Sequence, residues 1–191
     1  MKERFTDEEW TLLKYLPYHI FVMILGTDTL FASSKRADKI VRRIYNSAYR
    51  IFAQASELHD PLTRELFKDM LSEGQARATS FEESYGSETV PDSFQIMLYT
   101  FPSMDTDGSN YNIRTEKAAE AVEIKALLRQ QLSPEEYQDF MKNLIIFGLT
   151  IAKVSGSIFT RGRATKRETN VLNRFASLYE FDNVLVGKGI L

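Results

Sequence analysis

Two short stretches of this chain begin a helix in the same way, and they restrict the fold more than any other feature. One is "FTDEEWTLLKYLP", opening at Phe5, and the other is "LSPEEYQDFMKNL", opening at Leu132. In each, a hydroxyl residue stands three positions before a glutamate. The hydroxyl can accept the amide of the glutamate while the glutamate reaches back to the amide of the hydroxyl residue, which satisfies two of the amides a helix start leaves open. Thr6 and Glu9 form the first such box and Ser133 and Glu136 the second. Pro134 takes the first helical position, where its missing N–H costs nothing.

The two stretches are displaced by 127 positions, and the apolar residues obey the same displacement. Trp10, Leu13, Pro17, Ile20 and Ile24 advance by three and four along one helix face. Their counterparts Tyr137, Phe140, Leu144, Phe147 and Ile151 are all apolar or aromatic. Downstream, "DTLFASSKRADKIVRRI" parallels "GSIFTRGRATKRETNVLNRF", each with an apolar pair, a polar turn and a basic helix start. The pattern predicts an internal pseudo-twofold duplication of a helix pair. Pro17 departs from it, because a proline in mid-face is expected to kink or split the first helix.

The remainder also reads as helix. One is expected from about Ser34 to Leu58, with Ile40, Ile44, Ala48, Ile51 and Ala55 on one face. Asp60-Pro61 restarts a helix by an N-cap and a first-position proline, carrying Leu62, Leu66, Phe67 and Met70 to a stop near Gly74. The polar stretch "EGQARATSFEESYGSETVPDS" reads as a loop, "DSFQIMLYTF" as a short helix ending before Pro102, and "SMDTDGSNYN" as a turn. A further helix is expected from about Thr115 to Gln131, bearing Ala118, Ala121, Val122, Leu127 and Leu128. No alternating β-branched run or hairpin signal stands out. The expected fold class is therefore all-α, with about seven helices. It forms a single helical domain over 1–191, with related halves near 5–75 and 132–180 joined by a loop-rich segment at 75–115.

Charge narrows the function classes. There are 24 basic and 26 acidic residues, a net charge of −2, which disfavours a dedicated nucleic-acid binder. The absence of cysteine excludes disulfides, thiolate metal sites and a cysteine nucleophile, and it fits a cytoplasmic setting. The N-terminal "MKERFTDEEW" is too charged for a signal peptide. "YHIFVMILG" is too short to span a bilayer, and "NLIIFGLTIAKVSGSIF" carries Lys153 and two glycines, so both are expected as buried helices without a membrane span.

The helix-pair units at roughly Phe5–Ile44 and Leu132–Phe175 resemble the all-helical TerB-like family associated with tellurite resistance. Members often follow the first helix with an acidic turn and place a glutamate early in the next. Here the first unit has Gly26-Thr27-Asp28 and then Lys35, Arg36 and Asp38, while the second has Ser155-Gly156 and later Glu168. The resemblance implies helical-pair symmetry and a metal-responsive or stress-related role.

Two candidate sites emerge from the residues themselves. In "DTDGSNYNIRTE", Asp105, Asp107, Ser109 and Glu116 fall at positions 1, 3, 5 and 12 of a calcium loop, a spacing that can converge oxygens on a hard cation such as Ca2+. Asn110 replaces the usual glycine and Asn112 the usual apolar residue, so a polar turn before an acidic helix start is the other reading. The second candidate is a pair of basic stripes. Lys35, Lys39, Arg42 and Arg43 share a helix face with Arg50, and Arg161, Arg163, Lys166, Arg167 and Arg174 occupy the equivalent region downstream. Brought together, they could hold phosphates or an acidic partner; apart, they are solvated outer faces.

Other chemistry is not signalled. His19 lies on an apolar helix and reads as packed, and His59 falls at a helix end. Glu116, Glu120 and Glu123 share a face without a histidine, and no Glu-x-x-His pair, P-loop, nucleophile elbow or dinucleotide fingerprint occurs. The apolar tail "NVLVGKGIL" and surplus tyrosines such as Tyr45 and Tyr49 suit protein contacts. The leading expectation is a non-enzymatic helical interaction domain that binds a protein partner or self-associates as a homodimer through Val184–Leu191. The alternative is a metal-responsive module that binds calcium or another divalent cation.

Overall fold

Helix starts in this molecule are set by side chains close in sequence. The computed structural model describes residues 1–29, 35, 43, 47, 50–85, 116–155 and 164–181. A single 3-10 turn, Lys2–Arg4, leads into α1 (Asp7–Thr29). Then come α2 (Pro61–Tyr85), α3 (Glu116–Gln131), α4 (Pro134–Ser155) and α5 (Lys166–Leu178), and helical backbone at 50–55 precedes α2. Helix makes up 86% and no strand occurs among the described residues, which establishes the all-α class.

Both expected capping boxes form, with the same dimensions. Thr6 N–H donates to Glu9 at 2.8 Å and Glu9 N–H to Thr6 Oγ1 at 3.2 Å. Ser133 N–H donates to Glu136 at 2.8 Å and Glu136 N–H to Ser133 Oγ at 3.2 Å. A third box, Thr165 with Glu168, opens α5. Asp60 caps α2 by accepting Thr63 N–H at 2.7 Å.

α1 is the hub of the fold. It packs most extensively on α4 and α5 and also touches α2 and α3, while α4 packs on α5, α2 and α3. The apolar residues of both related stretches face inward, since Trp10, Leu13, Ile20, Ile24, Tyr137, Phe140, Leu144, Phe147 and Ile151 are all buried. Phe147 packs its ring 5.1 Å from Phe52 and 4.7 Å from Phe67, so one aromatic cluster joins α4, α2 and the 50–55 stretch. Gly148 lies where α4 approaches both neighbours. A Cβ there would fall 2.5 Å from Leu172 Cδ2 and 2.8 Å from Ile20 Cγ2. Only a residue without a side chain permits that spacing.

Two expectations are corrected. Pro17 does not split the first helix, and α1 runs unbroken from Asp7 to Thr29 with Pro17 inside it. Proline removes one hydrogen bond there, but its buried position between Leu13 and Ile20 lets packing on the neighbouring helices offset the loss. α2 does not stop near Gly74 but continues to Tyr85, so residues 75–85 are helix and not loop. A single interior glycine costs only about 1 kcal/mol relative to alanine, and Gly74 is buried on the packed side. On α3, the core face leaves Val122 outside. Ala121, Ile124, Leu127 and Leu128 fill that face, and Val122 is 60% exposed.

Candidate functional site

The described polar side chains gather at three places, and each ties elements distant in sequence. The first is the seam between α1 and α2. Glu65, Asp69 and Glu73 recur every fourth residue along α2 and so line one face. Lys14, one turn after Trp10 on α1, has a side chain only 5% exposed and ion-pairs with Asp69 at 2.6 Å and with Glu73. Trp10 Nε1–H donates to Asp69 at 2.8 Å, and Lys2 lies 3.3 Å from the other Asp69 oxygen. The Lys2 ammonium also sits over the Trp10 ring, 5.5 Å from its centre. Burial pushes the Asp69 carboxyl upward, but Lys14, Trp10 and Lys2 outweigh it and hold Asp69 below the usual carboxylate value. The buried ammonium therefore has two carboxylates and the cluster is closed on itself. Its evident role is to fasten α1 to α2.

The second place joins the N-terminal turn to the α3–α4 corner. Arg4 donates to both Glu136 oxygens, at 2.8 and 3.3 Å, and to the Gln131 carbonyl. Glu136 thus serves the capping box and Arg4 together. Hydrogen bonds from Arg4 first, then from Ser133, lower its pKa.

The third place is the end of α5. Glu180 N–H donates to Ser177 O at 3.1 Å and Phe181 N–H to Ala176 O at 2.9 Å, the bond pair of a Schellman cap. The residue in the left-handed position of such a cap is normally glycine, yet here it is Glu180, at φ 51°. Glu180 is held from α3 by Lys125 at 2.7 Å and Arg129 at 2.5 Å, and these bonds, Lys125 foremost, lower its pKa. Tyr137 O–H donates to the Tyr179 carbonyl, so α4 also grips this corner. Desolvation raises the Tyr137 pKa, as expected for a buried phenol.

The residues singled out from sequence fare differently. Asp105, Asp107 and Ser109 lie outside the described residues, as does the helix expected over "DSFQIMLYTF"; Glu116 is the first residue of α3. Among the described residues, no group of three His, Asp or Glu side chains is placed to hold a metal ion. Lys39, Arg42, Arg161 and Arg163 also fall outside, while Lys35, Arg43, Arg50, Lys166, Arg167 and Arg174 are exposed. His19 is buried, with its ring 6.1 Å from that of Tyr15, and His59 is exposed. Glu168 is fully buried in the third capping box. That box has the same sequence spacing as the other two in "TKRE", and the pattern alone could have found it. The Lys14 cluster had no such local signal.

Two large apolar side chains stand exposed among the described residues, one on α3 and one at the end of α5. Val122 lies one turn before Lys125 on α3, and Leu178 closes α5 at 46% exposure, two residues before Glu180. No helix of the described residues is long and apolar enough to cross a membrane. In comparisons with protein-family models, curated proteins and solved structures, none matches this chain.

Proposed function

We propose that this chain is a non-enzymatic helical interaction domain that acts by binding a protein partner or a second copy of itself. The observation that carries the reading is the exposure of Val122 and Leu178, which lie three residues before Lys125 and two before Glu180 in sequence, next to members of the Lys125–Arg129–Glu180 ion cluster. Apolar side chains next to a fixed set of charges can supply both the burial and the orientation of a protein contact. The ionisable groups of the α1–α2 seam are spent on holding helices together, which fits a scaffold better than a reaction centre. Light scattering across a concentration series tests self-association. The mass should rise above the 22.0 kDa of one chain as concentration increases, and Val122→Asp with Leu178→Asp should suppress the rise without lowering the thermal midpoint. A mass that never rises, combined with no change in either variant, removes self-association.

A second reading is the TerB-like, metal-responsive module. Its support is the parallel between the two halves. The capping boxes of α1 and α4 have equal dimensions and the five displaced pairs are buried alike, as an internal duplication requires. α1 packs on α5, and α4 meets the 50–55 stretch through Phe147 and Phe52. The calcium spacing from Asp105 to Glu116 belongs to this reading. A calcium titration followed by heat of binding decides it: saturable heat that vanishes in Asp105→Asn with Glu116→Gln supports the module, and no heat removes calcium as its ligand.

A further inference from the structure

α1 and α4 lie side by side and run in the same direction. Arg4, just before α1, bonds Glu136 at the start of α4, and farther along Ile20 lies against Gly148. α5 runs the opposite way, because Leu172 lies against the same glycine and the Tyr179 carbonyl accepts the Tyr137 hydroxyl near the start of α4. This arrangement sorts exposed charge by end. Asp7 and Glu8 in the first turn of α1, and Glu135 and Asp139 in the first two turns of α4, are exposed at one end. Lys153 in the last turn of α4, and Lys166 and Arg167 in the first turn of α5, are exposed at the other. Lys153 lies five residues beyond Gly148 and Lys166 six before Leu172. Those steps are rises of about 7.5 and 9 Å, so the two lysines stand at nearly the same level.

Helix chemistry accounts for the acids but not for all of the cations. Carboxylates suit the positive start of a helix dipole and Lys153 suits the negative finish, yet Lys166 and Arg167 stand at a helix start, where the dipole disfavours a cation. Among the described residues, none of Asp7, Glu8, Glu135, Asp139, Lys153 or Lys166 forms an ion pair. Glu135 and Lys153 are separated along α4 by about 27 Å, which is about three screening lengths at physiological salt. The two ends therefore do not neutralise each other within one copy, and a net charge of −2 sets up little repulsion between copies. We infer that the basic end of one copy docks on the acidic end of the next, so that self-association runs head to tail. This rests on the reading of the chain as a self-associating domain and adds which surfaces meet. Such a contact joins two different surfaces and so continues past two copies, into a ring or an open chain.

Light scattering on the full chain, over a concentration series at about 20 mM and about 500 mM salt, tests the contact, because the screening length shortens roughly fivefold between them. The mass should exceed that of two chains at low salt and fall to the 22.0 kDa of one at high salt. Two charge reversals test the surfaces: Glu135→Lys with Asp139→Lys, and Lys166→Glu with Arg167→Glu. Each alone should weaken association about tenfold or more, since it sets like charges against each other. Circular dichroism confirms that each variant is folded, and the milder Glu135→Gln with Asp139→Asn should weaken association less. An equimolar mixture of the two reversed variants should restore the wild-type mass, because each keeps the end that the other has lost. Association that stops at two copies, that ignores salt, or that the mixture of folded variants does not restore overturns the inference. If association persists in both reversals and disappears in Val122→Asp with Leu178→Asp, self-association stands and only the head-to-tail contact falls. A chain that stays single at every salt and concentration removes both.

Discussion

α1 meets its neighbours across two seams of opposite character. Toward α4 and α5 the contact is dry: Ile20, Ile24, Phe147 and Leu172 are buried, and Gly148 draws the helices together. Toward α2 the contact is ionic, with Lys14 buried against Asp69 and Glu73 and with Trp10 bonded to Asp69. The difference follows from what each interface can offset. Burying a methylene returns about 0.8 kcal/mol with no partner required. Burying an ammonium is costly unless carboxylates meet it, and even then the net gain over an apolar pair is small. The dry seam should therefore carry stability, while the ionic seam fixes how α1 and α2 are aligned.

The largest effect should come from the dry side. Phe147→Ala removes a ring packed on Phe52 and Phe67 and is expected to cost about 3–5 kcal/mol in urea melts. Gly148→Ala forces a methyl against Leu172 and Ile20, and overpacking of this kind costs about 1–3 kcal/mol, reduced by about 1 kcal/mol of helix propensity. A stabilised Gly148→Ala protein would show that the seam is looser than the spacing implies.

Lys14→Met sharpens the comparison. The variant keeps an apolar stem and leaves Asp69 and Glu73, at 26% and 37% exposure, able to take up water. A loss of about 1–2 kcal/mol is expected, below that of Phe147→Ala. An equal loss would reverse the ranking of the two seams.

The ionic seam also predicts a pH dependence. Asp69 has a folded pKa below its unfolded value of 3.8, so its contribution is complete above that value and is lost as pH falls through it toward the folded pKa. Trp10 is the one tryptophan of the chain and bonds Asp69 directly, so its emission reports the loss. The transition should lie below about pH 4 and move upward in Lys14→Met. An emission unchanged down to complete acid unfolding would uncouple Trp10 from Asp69.

Glu180→Gly should have the smallest effect. Glycine relieves the left-handed backbone but gives up the bonds to Lys125 and Arg129, and the two changes oppose each other. A sizeable drop in the melting midpoint would mean that the clamp governs the corner.

What could be read before folding was local. The boxes at Thr6 and Ser133 and the cap at Asp60 involve residues three apart, and each formed where its pattern lies. The apolar faces of α1 and α4 followed from their period, and every tested member is buried. Local signals misled where two of them conflicted. Gly74 was read as a stop and Pro17 as a break, yet packing carried both helices through. Val122 is apolar and adjacent to Ala121, yet the α3 core face runs through Ala121 and Ile124 and leaves it outside.

By itself the sequence determined the all-α class, where α1, α2 and α4 start, and which faces of α1 and α4 are apolar, because those depend on neighbours within a turn or two. Only the tertiary structure decided that Lys14 would be buried against residues 59 positions away at Glu73, that Arg4 would close on Glu136, and that Glu180 would take a glycine's conformation under two cations. Such pairings are set by how helices lie against one another, and a charged side chain carries no mark of the partner it will meet.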